Sequence, residues 1–242
     1  MLTSSEVKRY AHARHITLLD QAWKDYLQDL VLSLLYQKWP NLLFRGGTCI
    51  WKVMHGNRFS EDLDLCLETR MPDSLENYLS KELSFYGFSC AIRKKKQTEN
   101  MLFLAVGITS PSHPREITLA VEILHASPCA QHKEIVTMYS PYPDIVPVEM
   151  NVPSRDEIIA DKIAAVCQRN KPRDIHDLYL LLKQGGRVDQ TLVHERIPEF
   201  TIGTFKKKLL EKKTLWTSLE PLVVTKLPSF DEEVAYITSF FV

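Results

Sequence analysis

Between Asp62 and Leu67 the chain reads Asp-Leu-Asp-Leu-Cys-Leu. A strict period of two fits an extended strand with one packed face. Leu63, Leu65 and Leu67 take the packed side, which leaves Asp62 and Asp64 together on the other. Two carboxylates held that close repel. A hard divalent cation is the simplest compensation, Mg²⁺ being the usual one beside phosphates and Mn²⁺ a chemically similar substitute.

The residues just upstream supply a complementary half. Leu42-Leu43-Phe44 reads as a short buried strand, Gly46-Gly47 as a turn, and Thr48 to Met54 as one short helix ended by Gly56-Asn57. Amide groups in a tight turn that enters a helix can cradle phosphate, and the helix N-terminus adds a favourable field. Gly46, Gly47 and Thr48 are the candidate cradle, with Lys52 and Arg58 as reinforcing cations. A nucleoside triphosphate with its cation fits both halves. Neither Gly-x-x-x-x-Gly-Lys-Ser/Thr nor Gly-x-Gly-x-x-Gly is present, which excludes a Walker A loop and a dinucleotide fingerprint. A Gly-Gly pair alone is an ordinary turn, and an Asp-x-Asp alone is an ordinary solvated edge. Their succession in a strand–turn–helix–strand context points to phosphate chemistry.

A third acidic group is expected where phosphoryl groups move. Glu122 interrupts the apolar run Thr118-Leu119-Ala120-Val121-Glu122-Ile123-Leu124, where an unpaired carboxylate is costly. Metal ligation or general-base work explains it; a core ion pair to an arginine is the alternative. Lys162 is similarly misplaced. At ~100° per residue it lies about 40° from Ile158, inside the stripe formed by Ile158, Ile159, Ile163 and Val166. A lysine there either snorkels past the core edge or aims its ammonium at an anion such as a triphosphate. In the next helix Asp174 and Asp177 sit at the border of the face defined by Ile175, Leu178 and Leu182. Asp174 reads either as a helix cap after Pro172 or, like Asp177, as a carboxylate that orients Lys162 or an arginine.

The remaining elements follow from periodicity. Residues 4–38 read as helix closed by Pro40, with Lys24, Asp25 and Gln28 among the polar positions between its apolar ones. Asp73-x-x-Glu76 reads as a capping box for a helix to Phe85. Residues 88–94, 101–108 and 116–124 read as strands, and 125–153 as a proline-rich irregular stretch with a short strand near Ile145-Val146. Ser154-x-x-Glu157 opens a helix to about Gln168, a second runs from Asp174 to Lys183, and helical pieces fall near 189–195, 201–217 and 230–240. This is an α+β (mixed α/β) chain: a core over 1–150 with N-terminal helices, and a helical lobe over 151–242 contributing to the active site.

Of the 242 residues 45% are apolar and 25% charged, which excludes disorder of the whole chain. Thirty basic residues balance thirty acidic ones, which excludes a strongly basic coat but not a local patch. Arg93-Lys94-Lys95-Lys96 and Lys206-Lys207-Lys208 with Lys212-Lys213 are two such candidates. No signal core and no membrane-length apolar run is present, and five scattered cysteines argue against a disulfide framework. The expected setting is the reducing cytoplasm, with no membrane partner. His125, Cys129 and His132 lie close together but lack a fourth ligand for zinc.

These motifs resemble the nucleotidyltransferase AbiEii toxin family of type IV toxin–antitoxin systems. The strand, Gly-Gly-Thr and basic short helix appear as Phe44 to Lys52. Arg-Phe-Ser-Glu-Asp-hydrophobic-Asp appears complete as Arg58 to Asp64. Ala-Asp-Lys followed by Arg-x-Lys-x-Arg-Asp-x-x-Asp-Leu appears as Ala160-Asp161-Lys162 and Arg169 to Leu178. The resemblance implies a polymerase-β-like nucleotidyltransferase core with a helical C-terminal lobe. It places the metal-binding carboxylates on Asp62 and Asp64, the family's lysine on Lys162 and its late aspartate on Asp177, with Asp174 the alternative. Ser60 falls within the nucleotide-binding signature. Glu122 as third ligand comes from its position, not from the resemblance. The implied reaction is Mg²⁺-dependent transfer of NMP from an NTP to RNA, with tRNA the expected acceptor and a neighbouring antitoxin as partner. Transfer to a protein or small-molecule hydroxyl, and NTP binding without turnover, are the rival readings.

Overall fold

The computed structural model describes residues 2–241. The chain divides into two compact units, one of residues up to Cys49 with Ser60–Val152, the other of Ile50–Phe59 with the residues from Pro153 onward.

The first unit holds α1 (Ser4–Ala11), α2 (Leu19–Lys38), α4 (Leu75–Phe85) and the strands β1 (Leu43–Arg45), β2 (Leu63–Leu67), β3 (Ser89–Gln97), β4 (Met101–Ser110), β5 (His113–His125), β6 (Lys133–Met138) and β7 (Val148–Pro153). Between β1 and β2 runs α3 (Gly46–Val53), which begins in this unit and ends in the other. The sheet order is β3-β4-β5-β2-β1-β7-β6. Three of its pairings are antiparallel, β1 with β2, β3 with β4 and β4 with β5, while β2–β5 and β1–β7 are parallel. Leu63, Leu65, Leu104, Val106, Leu119, Val121 and Ile123 are buried on one face, where α2 packs on β5 and α4 on β3. The opposite face carries Asp64, Glu122, Phe103 and Ala105, all only partly buried.

Several expectations are corrected. The helix over 4–38 is broken by a 3₁₀ turn at His12–Arg14 and a left-handed His15. The break lets Arg14 fold back and bond Asp25 and Asp29 at 2.7 and 2.8 Å. Asp25 and Gln28 are therefore buried, not solvated. The Asp73 capping box does not form: the helix starts at Leu75 after Ser74 with no side-chain cap, and Glu76 instead pairs with Lys95. Residues 125–153 contain β6 and β7, while Ile145 and Val146 lie outside any strand. A disulfide joins Cys66 to Cys129, their Cα atoms 5.8 Å apart across 63 residues of sequence. Parallel pairing sets Cys66 opposite Leu124, and the chain turns back after β5 to bring Cys129 beside it. Spacing alone could not reveal that meeting.

The second unit is helical beyond the end of β7: α5 (Arg155–Gln168), α6 (Arg173–Lys183), α7 (Gln190–Arg196), α8 (Ile202–Leu210) and α9 (Phe230–Thr238). Ser154 caps α5 by accepting from the Glu157 amide at 3.3 Å. The Glu157 side chain pairs with Arg196. α5 packs on α6, α7 and α8, and α6 packs on α9, around Ile159, Ile163, Val166, Ile175, Leu178, Val193, Phe205 and Leu209. Segment 57–59 is stitched to 222–224 by Phe59 N–H to Leu222 O at 2.8 Å and Val224 N–H to Asn57 O at 2.9 Å. Among the described residues no helix is long and apolar enough to cross a membrane.

Candidate active site

Asp64 and Glu122 are direct register partners on the neighbouring parallel strands β2 and β5. Directly paired residues share a face, so two carboxylates stand side by side about one strand spacing, ~4.8 Å, apart. Like charges in that arrangement oppose sheet formation. Asp62 lies one residue before β2 and is exposed. Gly46 lies on the other side of Asp64. Its φ is +76°, a left-handed value that favours glycine, and a Cβ there would fall 2.0 Å from Asp64 Oδ2. The space left by the missing side chain is filled by the Asp64 carboxylate.

The approach to β2 is fixed from two directions. Thr48 is fully buried and its hydroxyl donates to the Asp62 carbonyl. Gln28 on α2 donates to the carbonyls of Ser60 at 3.0 Å and Glu61 at 2.8 Å, and Lys24 pairs with Glu61 at 2.9 Å. Thr48 is thus a positioning residue for Asp62, and Ser60 is buried with its carbonyl engaged. Gln28 carried no sequence signal, because beside Asp29 it reads as one more polar position of the helix.

The oxygen donors Asp62, Asp64 and Glu122 are the set that Mg²⁺ or Mn²⁺ takes, and the glycine cradle against Asp64 fits a site built around that carboxylate. Among the described residues no three acidic, histidine or cysteine side chains are gathered closely enough to hold a metal as they stand.

In the second unit Arg58, Lys162, Asp174 and Asp177 come together. Arg58 grips Asp177 with two bonds, Nε to Oδ1 and Nη2 to Oδ2, both 2.9 Å. Lys162 Nζ lies 2.6 Å from Asp177 Oδ2 and 3.1 Å from Asp174 Oδ1. Arg169 closes a fork on Asp174 at 2.8 and 2.7 Å. Burial alone would raise both carboxyls. Arg58 and Lys162 override it at Asp177 and hold that group far below the usual carboxylate range, and Arg169 and Lys162 lower Asp174. Each of the two carboxylates is thus held by two cations, with Lys162 shared between them. Lys52, also in this unit, is buried near the end of α3.

A parallel link lies one residue away. His176 Nδ1 meets Glu233 Oε1 at 2.6 Å and Nε2 meets Asn57 Oδ1 at 2.8 Å. Consecutive residues of α6 therefore hold consecutive residues of the 57–58 segment. Glu233, whose carboxyl is raised by burial, sits in an Asp-Glu-Glu run that reads as a solvated first turn. Nothing in the sequence separates it from its neighbours.

The paired carboxylates thus stand on central strands of a mixed sheet, beside a helix that starts at a glycine. Solved structures agree on the fold. The nucleotidyltransferase toxin MenT4 of Mycobacterium tuberculosis H37Rv superposes with a TM-score of 0.66 at 20% identity, over 100% of this chain and 89% of that one. JHP933 of Helicobacter pylori does so with a TM-score of 0.64 at 19% identity, over 91% and 89%. No curated protein matches the sequence. The family model described as "Nucleotidyl transferase AbiEii toxin, Type IV TA system" matches residues 25–232. The chain belongs to this family and is a nucleotidyltransferase of the toxin–antitoxin type.

Proposed function

We propose that the protein transfers a nucleoside monophosphate from an NTP to an RNA hydroxyl, with tRNA as the acceptor, as the toxin of a type IV pair. The observation that carries this reading is the Asp64–Glu122 register pair beside Gly46. Asp62, Asp64 and Glu122 would hold a divalent cation, which would supply charge neutralisation for the triphosphate. Asp62 is exposed and has no side-chain hydrogen bond or ion pair among the described residues, which leaves its carboxylate available to that set. The glycine turn at Gly46-Gly47 receives phosphate oxygens, with Thr48 holding the Asp62 carbonyl in place. The acceptor oxygen forms its bond to the α-phosphorus as the bond from α-phosphorus to the bridging oxygen breaks. Pyrophosphate leaves with that electron pair, and the hydroxyl proton passes to Glu122. The ion pairs to Asp174 and Asp177 fix Lys162 in one place, ready for an anionic ligand. The reaction belongs in the cytoplasm, with a cognate antitoxin encoded nearby.

The test incubates the protein with Mg²⁺, each α-labelled NTP in turn and total RNA, beside Asp64→Ala. Label on tRNA with wild type alone, lost without Mg²⁺, is the expected result. Label on protein or on a small molecule instead, from protein that binds Mg²⁺-NTP, moves the acceptor class. Binding without pyrophosphate release removes turnover altogether.

A further inference from the structure

The sheet register places five residues in one row across five strands: Lys96 opposite Phe103, Phe103 opposite Glu122, Glu122 opposite Asp64, and Asp64 opposite Arg45. Direct register partners share a face, so the carboxylates, an aromatic ring and a lysine stand in line. Phe103 is one strand spacing from Glu122, and Lys96 is two, about 10 Å. The adjoining row on the same face is Lys94, Ala105 and Ala120. Its two alanines leave a shallow floor beside the Phe103 ring, and Lys94 Nζ lies 5.9 Å from that ring's centre.

The four consecutive basic residues of β3 are not equivalent. Arg93 is paired with Glu116, and Lys95 with Glu76 at the N-terminus of α4. Lys94 and Lys96 are exposed and have no ion-pair partner among the described residues. Lysines on an edge strand also deter edge-to-edge association, but that duty does not require the two free ones to flank an aromatic ring in line with the carboxylates. A partly exposed ring, a floor of small residues and two uncompensated ammonium groups suit one class of ligand: a flexible polyanion that carries flat bases.

We propose that Phe103, Lys94 and Lys96 form the track for the acceptor strand. The last bases of a single-stranded RNA end stack on Phe103 over Ala105, Lys94 and Lys96 take the adjoining phosphates, and the terminal hydroxyl arrives at Glu122. The proposal rests on the nucleotidyl-transfer reading for its last step only; the track itself is a binding surface. It assigns single-stranded rather than duplex RNA, because a stacked helix hides the base faces that Phe103 needs.

The experiment measures fluorescence anisotropy of a 5′-labelled, unstructured RNA of about twelve nucleotides over a salt series, beside transfer of label to the same oligonucleotide. The proteins are wild type, Phe103→Ala, Phe103→Tyr, Lys94→Ala/Lys96→Ala and Lys95→Ala, each checked by circular dichroism. We expect Phe103→Ala to weaken binding about tenfold or more, with Phe103→Tyr restoring it. Loss of two phosphate contacts lowers the slope of log affinity against log salt by about 1.4. Lys95→Ala, which removes a cation already paired with Glu76, binds as wild type. Phe103→Ala within about twofold of wild type, or Lys95→Ala as weak as the double variant, overturns the track, as does wild-type protein that fails to bind the oligonucleotide. Binding that follows the expected pattern without any nucleotide transfer leaves the track standing and sinks the transfer reading instead.

Discussion

The two units hold their charges in opposite ways. In the first, Asp64 and Glu122 are like charges set side by side by strand register, with Asp62 exposed just ahead of them. In the second, Asp174 and Asp177 each lie in a fork of cations, buried with Arg58 and Lys162. A carboxylate that receives a ligand is left without an ion-pair partner, as Asp62 and Glu122 are among the described residues. A carboxylate that must hold a lysine and a loop in place is compensated from several sides, and removing it strands buried cations.

The contrast breaks first at Asp177. Asp177→Ala leaves Arg58 and Lys162 buried beside one fewer anion and costs about 3–5 kcal/mol. Urea unfolding, with faster amide exchange across α5 and α6, reads it. A change under about 1 kcal/mol contradicts the clamp assigned here. Asp64→Asn should do the reverse. Activity falls at least about a hundredfold, while stability stays within about 0.5 kcal/mol, because the isosteric amide keeps the packing beside Gly46. Equal loss of both in this variant makes Asp64 a structural residue.

Gly46→Ala tests the cradle against Asp64. Its left-handed backbone alone costs about 1–2 kcal/mol, and the new Cβ displaces the Asp64 carboxylate. Transfer activity should therefore fall further than the stability loss explains, measured at a temperature where the variant is folded. Acid sharpens the comparison from the other side. Asp174 and Asp177 are held below their ordinary range by their cation partners, so they stabilise the fold while ionised. That contribution is full above about pH 4, the unfolded value, and fades as pH falls toward the depressed values. The urea midpoint of wild type should drop below about pH 4, and Asp177→Asn should flatten that drop; parallel curves would remove the linkage. The smallest effect belongs to Lys24→Ala. Its pair with Glu61 is partly exposed, so the loss should be about 0.2–1 kcal/mol, seen as a small shift in melting temperature.

Much of this was legible locally. The Asp-Leu alternation gave β2 and its packed face, the glycine pair gave the start of α3, and Lys162 stood out because a charge inside an apolar stripe demands a partner. The partners themselves were not legible. Arg58 reads as a phosphate-binding cation beside the glycine turn, yet its guanidinium is committed to Asp177, 119 residues away. Gln28 and Glu233 look solvated because each sits among polar neighbours in sequence, and only packing against a loop or a second helix buries them. The Cys66–Cys129 bond is of the same kind.

The sequence by itself determined the family, the carboxylate strand, the glycine turn and the helical character of the second half. Each of these is a short-range pattern, set by periods of two or 3.6 residues and by backbone freedom at glycine. Only the tertiary structure decided which charges are compensated and which are left open, and that Lys96, Phe103, Glu122, Asp64 and Arg45 fall in one row. Strand order and register join residues far apart in the chain, and a shift of one residue would turn the row to the other face.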